Sequence, residues 1–71
     1  MEAEKLQKLG LNLSESKVYT ALLQLGPSKA GEISKKAQIN RTTTYDSLEN
    51  LIKKGLVSFV ISANRKLFTS V

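Results

Sequence analysis

Apolar residues recur at helical spacing through the first three quarters of the chain and at strand spacing after it. Val18, Ala21, Leu22 and Leu25 lie three or four apart and predict an amphipathic helix over about 14–25. Ser14 is its expected N-cap, since a serine hydroxyl accepts an orphan N–H of the first turn, and Leu13 is placed to staple onto Val18. Gly26-Pro27 stops it: glycine tolerates a left-handed backbone and proline cannot continue a helix. A second helix is predicted over about 30–37, with Ser28 or Lys29 at its start and Ile33 and Ala37 inward. Residues 38–40 form a short connection. Asn40 then caps a third helix over about 41–54, with Tyr45, Leu48, Leu51 and Ile52 as its buried stripe and Gly55 as its stop. Upstream, residues 2–9 suit a short helix, with Leu6 and Leu9 three apart and Gly10 ending it.

After Gly55 the period falls to two. Val57, Phe59 and Ile61 alternate with Ser58, Val60 and Ser62, as in a half-buried strand. Ala63-Asn64-Arg65 reads as a turn and Lys66 to Val71 as the returning strand, giving a hairpin over about 56–71. The expected class is mainly α with a small β-hairpin (α+β), as one domain over residues 1–71. Three helices, the last two tightly joined, followed by a hairpin make a winged helix-turn-helix. In that unit the helix after the tight connection can lie in a DNA major groove.

Composition narrows the chemistry. The 71 residues contain no cysteine and no histidine, which excludes disulfides, the usual zinc sites and the commonest general base. No nucleophile–base pair, metal cluster or phosphate loop is legible, so neither an enzyme nor a cofactor is expected. No apolar run approaches the ~20 residues that span a bilayer. The start, Met1-Glu2-Ala3-Glu4-Lys5, is charged and no apolar signal segment follows it. The expected location is therefore cytoplasmic and nucleoid-associated.

Eleven Lys and Arg against six Asp and Glu give a net charge of +5, a balance that favours polyanionic partners. Many lysines have local explanations. Glu4–Lys8, Glu32–Lys36 and Glu49–Lys53 are spaced i,i+4 with the acid first. Lys35, Lys36, Lys53 and Lys54 lie near helix C-termini, where cations suit the dipole. Arg41, Arg65 and Lys66 lack such explanations and fall at the start of the third helix and the tip of the hairpin.

With Tyr45, Leu48, Leu51 and Ile52 inward, the opposite face of the third helix carries Arg41, Thr42, Thr43, Asp46, Ser47 and Asn50. Arg41 suits bidentate pairing with guanine, and threonine methyls suit thymine methyls. Arg65 and Lys66 would lie along the backbone or minor groove. Lys29 is a further candidate, because backbone N–H groups at a helix start can hold a phosphate; Lys17 is a weaker one. Tyr45 has two readings, core packing or a hydroxyl on a phosphate, and packing is the primary one.

The run Arg41-Thr42-Thr43-Thr44-Tyr45-Asp46-Ser47-Leu48, then Leu51 and Lys54-Gly55-Leu56-Val57, resembles the DNA-binding domain of the TrmB family of archaeal transcriptional regulators. Leu9-Gly10-Leu11, Ser14-Glu15, Lys17-Val18-Tyr19, Ala21-Leu22-Leu23, Leu25-Gly26-Pro27 and Glu32-Ile33 fit the same pattern. The resemblance covers about residues 6–71, and its most specific part is Arg-x-x-x-Tyr-Asp-x-Leu. It implies the same winged fold and sequence-specific binding of double-stranded DNA in transcription regulation. Gln38 stands where the family usually has glycine, which asks a non-glycine residue for a left-handed conformation. Asn40 stands where proline is common. Larger family members carry a sugar-binding effector domain; with the chain stopping at Val71, no effector domain and no small-molecule ligand are expected.

Operators are usually bound by symmetric dimers, so a homodimer is a further expectation. Leu6 and Leu9 would serve as a dimer contact or pack on the monomer's own core. The main alternative is a protein-binding winged helix in a larger nucleic-acid-processing assembly, whose third helix would be apolar or acidic outside. Single-stranded RNA binding would need an exposed aromatic platform, which the sequence does not offer.

Overall fold

The computed structural model of the chain describes residues 10–71. Three helices, α1 (Leu13–Leu25), α2 (Ala30–Ala37) and α3 (Arg41–Lys53), precede two strands, β1 (Val57–Ser62) and β2 (Arg65–Ser70). The helix expected over residues 2–9, its Leu6 and Leu9, and the Glu4–Lys8 pair lie outside the described residues. Among the described residues no helix is long and apolar enough to cross a membrane.

α1 starts earlier than Ser14. Asn12 is the N-cap: its side chain accepts the Glu15 N–H at 2.8 Å, and the Glu15 carboxylate accepts the Asn12 N–H at 3.1 Å. Asn12 prevails because Glu15 then stands three residues on and closes the box reciprocally, whereas a cap at Ser14 would put Lys17 there. Leu13 consequently enters the helix and is exposed, with no staple onto Val18. Leu25 is also largely exposed, and the buried face of α1 is Glu15, Ser16, Val18, Ala21 and Leu22.

Glu15 is 3% exposed, and the Lys54 Nζ at the end of α3 lies 2.9 Å from its Oε1. The same ammonium donates to the Gly10 carbonyl at 2.9 Å. Burial opposes the charged carboxylate, but hydrogen bonds from Lys54, the Asn12 N–H and Asn50, with the Lys54 charge, hold its pKa below the usual value. Lys54, expected to serve only its own helix dipole, instead ties α3 to the start of α1. Among the described residues this is the one ion pair; Glu32–Lys36 and Glu49–Lys53 do not form. The Glu32 carboxylate turns back to accept the Lys29 N–H at 3.1 Å, which makes Lys29 rather than Ser28 the cap position of α2.

The α2–α3 connection uses Gln38 at φ 59°, ψ 42°, the left-handed conformation anticipated for it. Such a conformation costs a non-glycine residue roughly 1–2 kcal/mol. It is held by the Ser34 hydroxyl donating to the Ile39 carbonyl at 2.8 Å and the Ile39 N–H donating to the Ser34 carbonyl at 3.2 Å. Asn40 caps α3 through the Thr43 N–H at 2.7 Å. At the other end Gly55, at φ 77°, lets the Leu56 N–H return to Leu51 and the Gly55 N–H to Ile52, closing the helix in a Schellman turn.

The core is Leu11, Val18, Ala21, Leu22, Ala30, Ile33, Leu48, Leu51, Val57 and Phe68. It lies between the three helices and the base of the hairpin. On α3 and β1 the expected core assignments change. On α3, Thr44 and Ser47 are buried and Tyr45 is 48% exposed. Thr44 can be buried because its hydroxyl donates to the Asn40 carbonyl at 2.8 Å. On β1 only Val57 is buried; Phe59 and Ile61 are exposed, and at the Phe59–Phe68 rung the core contact is made by Phe68 of β2.

The strands pair antiparallel from Val57↔Ser70 to Ser62↔Arg65. Arg65 therefore belongs to β2, and the turn is the two residues Ala63 and Asn64, at φ 50° and 64°. Positive φ at both positions makes a primed turn, whose twist matches that of the strands. A further backbone bridge joins Ser28 to Phe68, with N–H···O distances of 3.0 and 2.8 Å. It fastens the hairpin to the residue just before α2.

Candidate nucleic-acid interface

The Ser28–Phe68 bridge decides what meets at the surface. Lys29 follows Ser28, and Lys66 lies two residues before Phe68, on the same face of the hairpin by the two-residue period of a strand. The tight turn at Gln38 joins the end of α2 to the start of α3, and the Arg41 guanidinium reaches back to Gly31 in the first turn of α2. The outcome is a groove of about 420 Å³ lined by Lys29, Gly31, Glu32, Lys35, Arg41, Tyr45 and Lys66, with Ala30 and Phe68 at its floor. Three of the cations singled out in the sequence thus share one concavity, each from a different element.

Lys66 does more than carry charge. Its Nζ lies 4.1 Å from the centre of the Phe59 ring and 5.3 Å from that of Phe68. The two rings are 6.2 Å apart and tilted at 54°. The exposed Phe59 thus has a partner, a cation over its face, a contact worth about 0.5–1 kcal/mol at exposed sites.

The remaining candidates divide. Thr42 and Asp46 are exposed along the outer face of α3, Asn50 is exposed at its edge with its side chain bonded to Glu15, and Thr43 is half-buried. Arg65 is exposed at the hairpin tip, next to the Ala63–Asn64 turn. Ser47 is 3% exposed and belongs to the interior, so it leaves the set of surface candidates. Apolar spacing alone leaves out Thr44 and Ser47, two small polar residues that fill inward positions.

Sequence reasoning did not mark the other lining residues; Glu32 reads there as an i,i+4 partner of Lys36. Tyr45 was assigned to the core, although its spacing of four from Arg41 puts the two on one helical face. Lys35 was read as a partner of its own helix dipole, and Gly31 carried no signal.

Comparison with known proteins gives a consistent picture. The family described as sugar-specific transcriptional regulator TrmB matches residues 6–71. The HTH-type sugar sensing transcriptional regulator TrmBL1 of Pyrococcus furiosus is 49% identical over 57 residues, 80% of this chain. The chain spans 17% of that relative's length. Among solved structures, TrmBL2, described as an archaeal chromatin protein with a novel mode of DNA binding, superposes with a TM-score of 0.86 at 31% identity. That match covers 99% of this chain and 27% of the other. A MarR family transcriptional regulator from Silicibacter pomeroyi superposes with a TM-score of 0.84 at 17% identity, over 96% of this chain and 47% of its own. The last likeness is one of fold, the winged helix-turn-helix.

Proposed function

The chain belongs to the TrmB family, and from that premise we propose that residues 10–71 bind double-stranded DNA in the service of transcription regulation. One observation carries the reading: Lys29, Arg41 and Lys66, from α2, α3 and the wing, line a single groove. A duplex is the polyanion that such a basic concavity, with an exposed helix face beside it, suits by shape and charge. In this reading α3 lies in the major groove, with Thr42, Thr43 and Asp46 toward base edges. Arg65 and Lys66 follow the backbone or minor groove, and the start of α2 meets a phosphate.

The relatives' names include sugar sensing; the proposal for this chain takes only the DNA-binding part. We assign no catalytic role. Two copies on symmetric half-sites are the proposed arrangement, and Leu13 and Leu23 are among the exposed apolar side chains that a contact between them would use. The alternative, docking on a protein partner, fits less well with an α3 that begins with arginine and threonines.

The test is fluorescence anisotropy of a random-sequence duplex titrated with the protein at several salt concentrations. Neutralising about three to five phosphates should give a log K against log salt slope near −3 to −4. Replacing Arg41, Arg65 and Lys66 together by alanine should flatten it. Absence of binding at low salt, or unaltered binding by the triple variant, would overturn the proposal in favour of a protein partner.

A further inference from the structure

Gly31 lies in the first turn of α2, where nothing in its backbone conformation requires glycine. Glycine is among the poorest helix formers, so its presence there is a local disadvantage. The space its missing side chain leaves is occupied. A Cβ at this position would fall 2.6 Å from Arg41 Nη2, 3.6 Å from Cζ and 3.8 Å from Nε. The guanidinium lies where any other residue would put its side chain.

The seat is electrostatically unfavourable for a cation by itself. The N-terminal end of a helix carries partial positive charge, and Lys29, Lys35 and Lys66 line the same groove. Glu32 supplies one carboxylate, and an oxygen of it already accepts the Lys29 N–H. Among the described residues no carboxylate lies within 4 Å of the Arg41 guanidinium. Cations gathered on a positive helix end leave a place for an anion, and the arginine fork matches the oxygens of a phosphate. Thr42 and Asp46, on the outer face of α3, do not line this groove.

We propose that Gly31 seats Arg41, and that the seated guanidinium, with Lys29 and Lys66, holds a phosphate of the DNA backbone rather than a base edge. This rests on the DNA-binding reading above and revises the guanine contact expected of Arg41. Gly31 is a positioning residue, acting only through the guanidinium that it admits.

The experiment compares the wild type with Gly31→Ala, Arg41→Ala and the double variant on random-sequence duplexes of different base composition. Each single variant should weaken binding by about three- to tenfold, equally on every duplex, and reduce the salt slope by about one. The double variant should bind no worse than Arg41→Ala. Thermal melting separates this from misfolding, because Gly31→Ala should raise Tm while it lowers affinity. If wild type fails to bind any duplex, the DNA-binding reading itself falls. If wild type binds and Gly31→Ala keeps its affinity and slope, the seat is irrelevant and only this inference falls. A titration with inorganic phosphate, followed by the Gly31 amide and Arg41 Nε–H resonances, distinguishes the source. Saturation there combined with unaltered duplex binding by both single variants would assign the groove to a free phosphorylated molecule and overturn the proposal.

Discussion

Replacing Lys54 by methionine should destabilise the fold and change how its stability depends on pH. Lys54 Nζ bonds Glu15 Oε1 and the Gly10 carbonyl, both at 2.9 Å. The carboxylate is buried while the lysine side chain is 38% exposed. Removing one partner of a fully buried pair costs about 3–5 kcal/mol, and an exposed pair is worth about 0–1 kcal/mol. A pair buried on one side only lies between, at about 2 kcal/mol. For a chain of this size, whose total stability is roughly 4–10 kcal/mol, that is a large fraction. It corresponds to a fall in Tm of about 8–16 °C.

The pH dependence follows from the depressed pKa of Glu15. A carboxylate whose folded pKa lies below its unfolded value contributes stability above the unfolded pKa, near 4.3, and loses it as pH falls through the folded one. Methionine removes the charge and hydrogen bond that outweigh burial, so the contribution of Glu15 flattens or reverses sign. The assay is urea unfolding of both proteins between pH 7 and pH 3. The stability gap should be about 2 kcal/mol at pH 7 and narrow as pH falls. A gap that stays constant would refute the electrostatic account and leave only lost packing by the lysine stem.

Three other substitutions test separate features. The Ser16 hydroxyl is fully buried with no hydrogen-bond partner among the described residues, so Ser16→Ala should stabilise by about 1 kcal/mol in urea unfolding. Ser47→Ala should leave duplex affinity within twofold, since its side chain is buried, whereas Thr42→Ala, on the exposed face, should weaken binding in the same anisotropy assay. Ala63 holds φ at 50° in the wing turn, and Ala63→Asn, which tolerates that conformation better, should raise stability by about 0.5 kcal/mol on thermal melting.

How much of this molecule its sequence determines differs by level. Helix bounds follow from local chemistry: Gly26-Pro27, Asn40 and Gly55 stop or start helices by steric and capping rules that need no tertiary context. The winged fold follows from the change in period after Gly55, and the left-handed Gln38 from the family resemblance, in which glycine is usual at that position. Faces were legible only in part. Counting apolar residues placed Tyr45 in the core and left Thr44 and Ser47 out, because burial of a small polar side chain depends on a partner such as the Asn40 carbonyl. The alternation in β1 suggested a buried face, but nothing local says how far a hairpin stays on its core.

The site was legible as residue types and not as a place. Arg41, Arg65 and Lys66 stood out because no nearby acid explained them. The relation of Lys66 to Lys29 depends on the Ser28–Phe68 bridge, which joins residues forty apart. Only packing could reveal that the guanidinium of Arg41 fills the side-chain space of Gly31 or that Lys54 reaches Glu15. Periodicity and capping act over a few residues, so the chain alone specifies its elements. Contacts between distant residues depend on the angles at which those elements close on the core, and tertiary structure decides them.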